Sequence, residues 1–144
     1  MLRSISTFSV AALLFLAGCT SGTRMTLKDI NPNRTYKAEQ AKVMDAIRIY
    51  GAKEAFRIDK FDREAGTVVG YRNYVTGADE MGASRGKVIV MHVSLTIASP
   101  QETRLNASFR HVEDQGTPTR QDEADLVECY HSFFDLMDAS FPTQ

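Results

Sequence analysis

The sequence predicts an α+β domain, built as a four-stranded antiparallel meander with an N-terminal and a C-terminal helix packed on one face. Three observations carry that prediction. Tyr36, Val43, Ile47 and Tyr50 recur at helical spacing. Two later stretches, Lys87 to Ala98 and Thr103 to Val112, alternate apolar and polar residues as half-buried strands do. Leu126, Cys129, Tyr130, Phe133, Phe134 and Met137 then form an apolar helical stripe wide enough to need burial on a sheet.

Taken in order, the first helix is predicted from Tyr36 to Tyr50. Thr35 stands where a cap belongs, Glu39 suits the positive end of the dipole, and Gly51 marks the end. In the first strand, Phe56 and Ile58 alternate with Arg57 and Asp59. The turn Asp62-Arg63-Glu64-Ala65-Gly66 leads into a second strand, Thr67 to Val75. Pairing Phe56 with Tyr71 and Ile58 with Val69 makes one face of this hairpin apolar. A polar loop, Thr76 to Arg85, follows. The third strand puts Ile89, Met91, Val93, Leu95 and Ile97 on one side, and the fourth puts Leu105, Ala107 and Phe109 there. The expected register sets Ile97 on Leu105, Leu95 on Ala107 and Val93 on Phe109. Its other face pairs Thr96 with Asn106, Ser94 with Ser108, and His92 with Arg110. Thr119 is a candidate cap for the last helix, Asp122, Glu123 and Asp125 favour its start, and Phe141 closes its stripe. Short connections make sequential strands neighbours, hence the meander.

Composition narrows the class of function. A chain of 144 residues holds one domain with a useful core, not two. With 43% hydrophobic and 24% charged residues it is a globular chain, not a disordered one. A net charge of −1 argues against a nucleic-acid partner, which calls for a basic excess. Two cysteines allow at most one disulfide, so the fold does not depend on a disulfide framework.

The most specific motif stands near the N-terminus. Arg3 supplies a positive start and Ile5 to Leu16 an apolar run too short to span a bilayer core of about 30 Å as a helix. That pattern reads as a signal peptide. It ends in Leu16-Ala17-Gly18-Cys19, which resembles the lipobox of bacterial lipoproteins. The resemblance implies cleavage between Gly18 and Cys19, a diacylglycerol on the Cys19 thiol and acylation of the new amine. Two or more acyl chains bind a bilayer stably where one binds only marginally. Thr20 follows where an Asp would retain an enteric-type lipoprotein in the inner membrane, so the resemblance implies the outer membrane, facing the periplasm. The organisation expected is a signal peptide over 1–18, the lipidated Cys19 and a polar tether over 19–34, and one α+β domain over 35–144. Leu27 and Ile30 in the tether are apolar enough to pack on the body. From Thr35 to Phe141 the pattern is similar to the folded domains of the lipoprotein C subunit of the outer-membrane barrel-assembly machinery. No functional residue is carried over from that likeness.

No catalytic set assembles from the sequence. By the expected register His92 and His111 point to opposite faces, and His131 lies on the polar side of the last helix, so the three share no zinc-ligand spacing. Cys129 and His131 are two apart on a helix and do not face each other, which leaves Cys129 a small buried hydrophobe. The carboxylates at 122–125 suit a helix start, and Asp79-Glu80 a solvated loop. The scattered glycines open no phosphate-cradling helix. No cofactor and no metal are expected.

The remaining surface of interest is the polar sheet face, with His92, Arg104, Asn106, Ser108 and Arg110 as the candidate interaction residues and Arg72 adding to its basic character. Such a face suits peptidoglycan, lipid headgroups or an envelope protein. The function expected is a non-enzymatic interaction or accessory module of the cell envelope, held at a membrane by its lipid. The alternatives are a small-ligand binder using a groove between sheet and helices, drawing on Tyr36, Tyr50, Phe133 and Phe134, or an envelope hydrolase.

Overall fold

A computed structural model describes residues 25–78, 84–112 and 120–143. A single 3-10 turn at Leu27–Asp29 precedes β1 (Asn33–Tyr36), α1 (Gln40–Lys53), β2 (Arg57–Asp62), β3 (Thr67–Ala78), β4 (Ser84–Ser99), β5 (Glu102–Val112) and α2 (Arg120–Ser140). The class is α+β, but the sheet has five strands, not four, in the order β1-β5-β4-β3-β2 with every pairing antiparallel. Strands β2 to β5 are the meander, and β1 is added at the edge beside β5. The predicted cap at Thr119 and the tip of the polar loop lie outside the described residues.

The added strand takes residues expected in the first helix. Tyr36 ends β1 opposite Thr103, with its ring fully buried and its hydroxyl donating to Asp138 Oδ1 at 2.8 Å. Lys37 N–H donates to the Pro142 carbonyl at 3.0 Å, and Tyr36 bridges Thr143. Extended backbone here finds partners in β5 and in the chain after α2, which outweighs weak local helical preference. The helix therefore starts at Gln40, with Glu39 as its cap residue in place of Thr35. The chain before β1 is docked as well. Thr26 N–H and Oγ1 each lie 2.9 Å from Asp29 Oδ2, Ala107 N–H donates to the Pro32 carbonyl at 3.0 Å, and Leu27 and Ile30 pack against the core. The folded body thus begins inside the segment expected to be tether.

Helix α1 also ends differently. It runs past Gly51 to Lys53, Glu54 is the cap, and Ala55 takes the left-handed conformation with φ 57°. Phe56 N–H then donates to the Gly51 carbonyl at 2.8 Å, closing a Schellman motif around an alanine. Gly51 is a packing residue: a Cβ there would lie 2.8 Å from Ile58 Cδ1.

Both expected registers shift. In β2 and β3, Arg57 faces Tyr71 and Ile58 faces Gly70. An irregularity at Asp59 then sets Lys60 on Val69 and Phe61 on Val68. In β4 and β5 the pairs are Met91 with Phe109, Val93 with Ala107 and Leu95 with Leu105. The chain turns tightly at Pro100-Gln101, so Ser99 faces Glu102 and the register moves by two residues. A two-residue shift keeps each side chain on its face, so the core survives it. Its cost is Ile97, which faces Thr103 and stays 60% exposed.

Helices α1 and α2 pack on the face formed by Ile89, Met91, Val93, Leu95, Leu105, Ala107 and Phe109. Phe109 is the junction, with ring centroids 6.3 Å from Tyr50, 6.0 Å from Phe56, 4.9 Å from Tyr130 and 5.7 Å from Phe133. Tyr50 and Phe133 join the helices directly, edge to face at 5.0 Å. Among the described residues no helix is long and apolar enough to cross a membrane.

Phe133→Ala should destabilise the domain by about 3–5 kcal/mol in denaturant unfolding. An unchanged midpoint would mean that the α2 stripe is not the core contact described. Ala55→Gly should stabilise by about 1 kcal/mol, because it relieves a left-handed alanine. A loss of stability would refute the motif.

Candidate functional site

Alternation along the strands sends a second set of side chains to the face that neither helix covers. Two transverse rows cross it. Arg57 on β2 faces Tyr71 on β3, which faces Val90 on β4, which faces Arg110 on β5. The next row reads Lys60, Val69, His92 and Ser108. Beyond them Ser94 meets Asn106, whose Nδ2 donates to Asn33 Oδ1 at 2.8 Å, and Thr96 meets Arg104, which also faces Thr35 of β1. Val90 is only 3% exposed although it lies on this open face, while Val112 is 45% exposed. The surface is therefore a patch of valine and tyrosine edged by long cationic side chains, whose stems can cover apolar area while their heads stay in water.

His92, Arg104, Asn106, Ser108 and Arg110 all lie on this face, on the adjacent strands β4 and β5. Their pairings differ from those expected: His92 faces Ser108, not Arg110, and Asn106 faces Ser94, not Thr96. Arg57, Lys60, Tyr71, Val69 and Val88 complete the patch and were missed. The irregularity at Asp59 puts Lys60 opposite Val69, and no sequence signal announces it. Gly18 and Cys19 lie outside the described residues.

Arg72 does not belong to this face. It follows Val68 and Gly70 on the helix side, where Nη2 donates to Cys129 Sγ at 3.1 Å and Nη1 lies 3.7 Å from Glu54 Oε2. Its guanidinium stands 4.9 Å from the Phe56 ring centroid. Tyr50 OH donates to the Cys129 carbonyl at 3.1 Å and lies 3.0 Å from Ser132 Oγ. Burial pushes the Cys129 thiol up to about 11, and nearby Arg72 pulls against that. Burial likewise pushes the Tyr50 hydroxyl upward. The thiol thus stays protonated and is a poor nucleophile at neutral pH.

A third cluster forms where α2 starts against the sheet. His111 faces Ile89, not Met91, and its Nε2 lies 3.0 Å from the Asp122 carbonyl, which can only accept, so this nitrogen carries the proton. One ligand atom each from His111, Asp122 and Asp125 lies within 4.8 Å of the others, a spacing that can hold a divalent cation. The Lys87 ammonium pairs with the buried Asp122 carboxylate and already neutralises it. The cluster ties α2 to β4 and β5. Comparing histidine spacings alone could not find it, because its carboxylates come from another element.

Because the folded state holds the Cys129 proton more tightly than the unfolded chain does, the associated stability is full below about pH 9 and is lost as pH rises through about 11. Denaturant midpoints should fall across that window, and Cys129→Ala should fall less steeply. Parallel profiles would show that the thiol does not titrate with unfolding.

No family model and no curated protein matches the chain. Among solved structures it is similar to a DUF4468 family protein from Bacteroides ovatus, at 12% identity over 75% of this chain and 79% of that one, with a TM-score of 0.33.

Proposed function

We propose that the chain is a lipoprotein of the cell envelope, anchored by a lipidated Cys19 at the outer membrane on its periplasmic side. It acts there as a non-enzymatic interaction module, through the sheet face that its helices leave uncovered. The observation that carries the contact reading is the one-sided packing. Both helices cover the same face, so β2 to β5 present Arg57, Lys60, His92, Arg104 and Arg110 around Val69 and Tyr71 on the other. Aromatic and arginine side chains are those most used in protein contacts. The anchor rests on Leu16-Ala17-Gly18-Cys19 at the end of an apolar run of signal-peptide length. Tyr36, Tyr50, Phe133 and Phe134, which a groove for a small ligand would need, are members of the buried core.

Mass spectrometry of the native protein should find Cys19 as the first residue, carrying fatty acyl groups. Cys19→Ala should give unprocessed or soluble protein. Processed mutant recovered with membranes would overturn the anchor.

A further inference from the structure

The open sheet face and the exposed surface of α2 differ in charge. On the uncovered sheet face, the rows Arg57-Tyr71-Val90-Arg110 and Lys60-Val69-His92-Ser108 contain no carboxylate, and Arg104 extends the cationic edge along β5. The neighbouring acids are Asp59 in the β2 irregularity, Asp62, whose Oδ2 lies 4.0 Å from Lys60 Nζ, and Glu102, which stands on the same side of β5 as Arg104. On the far side, the exposed surface of α2 carries Glu123, Glu128, Asp135 and Asp138, and α2 has no lysine and no arginine after Arg120. The exposed surface of α2 is therefore acidic, while α1 on the same side of the sheet carries both signs, with Lys42, Arg48 and Lys53 beside Asp45.

We infer that the uncovered sheet face rests on anionic phospholipid headgroups of the bilayer that holds the chain. This deepens the anchored-module reading and depends on it. Three features fit that occupant. Guanidinium groups bind phosphate oxygens through paired donors, and Arg57 and Arg110 stand three strand spacings apart, about 14 Å, so they can engage separate headgroups. Between them Tyr71, half-buried, presents the amphipathic ring that favours a membrane interface, with Val69 beside it. The acidic side of α2 is repelled by the same surface, which turns the basic face toward it.

The test uses the purified native protein in phosphatidylcholine vesicles, with and without phosphatidylglycerol. Arginines are labelled with phenylglyoxal and read by mass spectrometry. Arg57, Arg104 and Arg110 should label about fivefold more slowly on the anionic vesicles. Arg48 on α1 and Arg63 after β2 should label at one rate on both. The protection should vanish at about 1 M salt, where screening shortens to about 3 Å. The double variant Arg57→Gln with Arg110→Gln should lose the protection of Arg104. Equal labelling on the two vesicles, or slowing that includes Arg48 and Arg63, overturns the inference. Slowing that is the same on neutral vesicles and grows with protein density assigns the face to a second copy and overturns it too. Flotation with neutral vesicles reads the anchor separately, so a failed anchor and a failed face give different results.

Discussion

The aromatic junction around Phe109 holds the two helices and the sheet in one arrangement. Phe109 projects from the centre of β5 into contact with Tyr50 of α1, Phe133 and Tyr130 of α2, and Phe56 at the head of β2. These rings are large apolar side chains packed in one core, and all of them lie on one side of the sheet. Burying them together commits both helices to that side. A sheet covered once is polar on its other face, and Arg57, Arg104 and Arg110 stand there. Core and candidate contact surface are thus two results of one packing choice.

The edges of the core carry polar groups, and each has a partner. Tyr36 OH reaches Asp138, Tyr50 OH reaches the Cys129 carbonyl, and Thr103 Oγ1 donates to the Ala38 carbonyl at 2.8 Å. Among the described residues no buried side-chain nitrogen or oxygen lacks a hydrogen-bond partner. These bonds join elements distant in sequence: Tyr36 ties the sheet edge to the end of α2, and Lys87 ties β4 to its start. An unpaired buried group costs more than a made bond contributes, so such links select one arrangement of helices over its near alternatives.

Charge follows the same division. Ion pairs on α1 and the β2–β3 turn, such as Arg63 with Asp45 at 2.8 Å, are exposed. The basic residues of the open face are held by the strand register at fixed separations across four strands. Fixed spacing gives a weak set of charges a preferred orientation toward an extended anionic surface, which a mobile set would lack.

Alternation along β4 and β5 and the helical stripe of α2 were legible in the chain because they are local. Side-chain direction follows from backbone period alone, so the outward set of His92, Arg104, Asn106, Ser108 and Arg110 could be read without knowing any partner. The segment Leu16-Ala17-Gly18-Cys19 was legible for the same reason, being contiguous. Folding decided what depends on contacts between distant segments. Tyr36 is in a strand because β5 and the residues after α2 satisfy its backbone. Arg72 turned inward because β3 buries Val68 and Gly70 under the helices, not Val69 and Tyr71, and Arg72 shares their parity. His111 met Asp122 and Asp125 only when α2 closed on the sheet. Periodicity specifies which way a residue points, but the identity of what it points at is a property of the assembled chain.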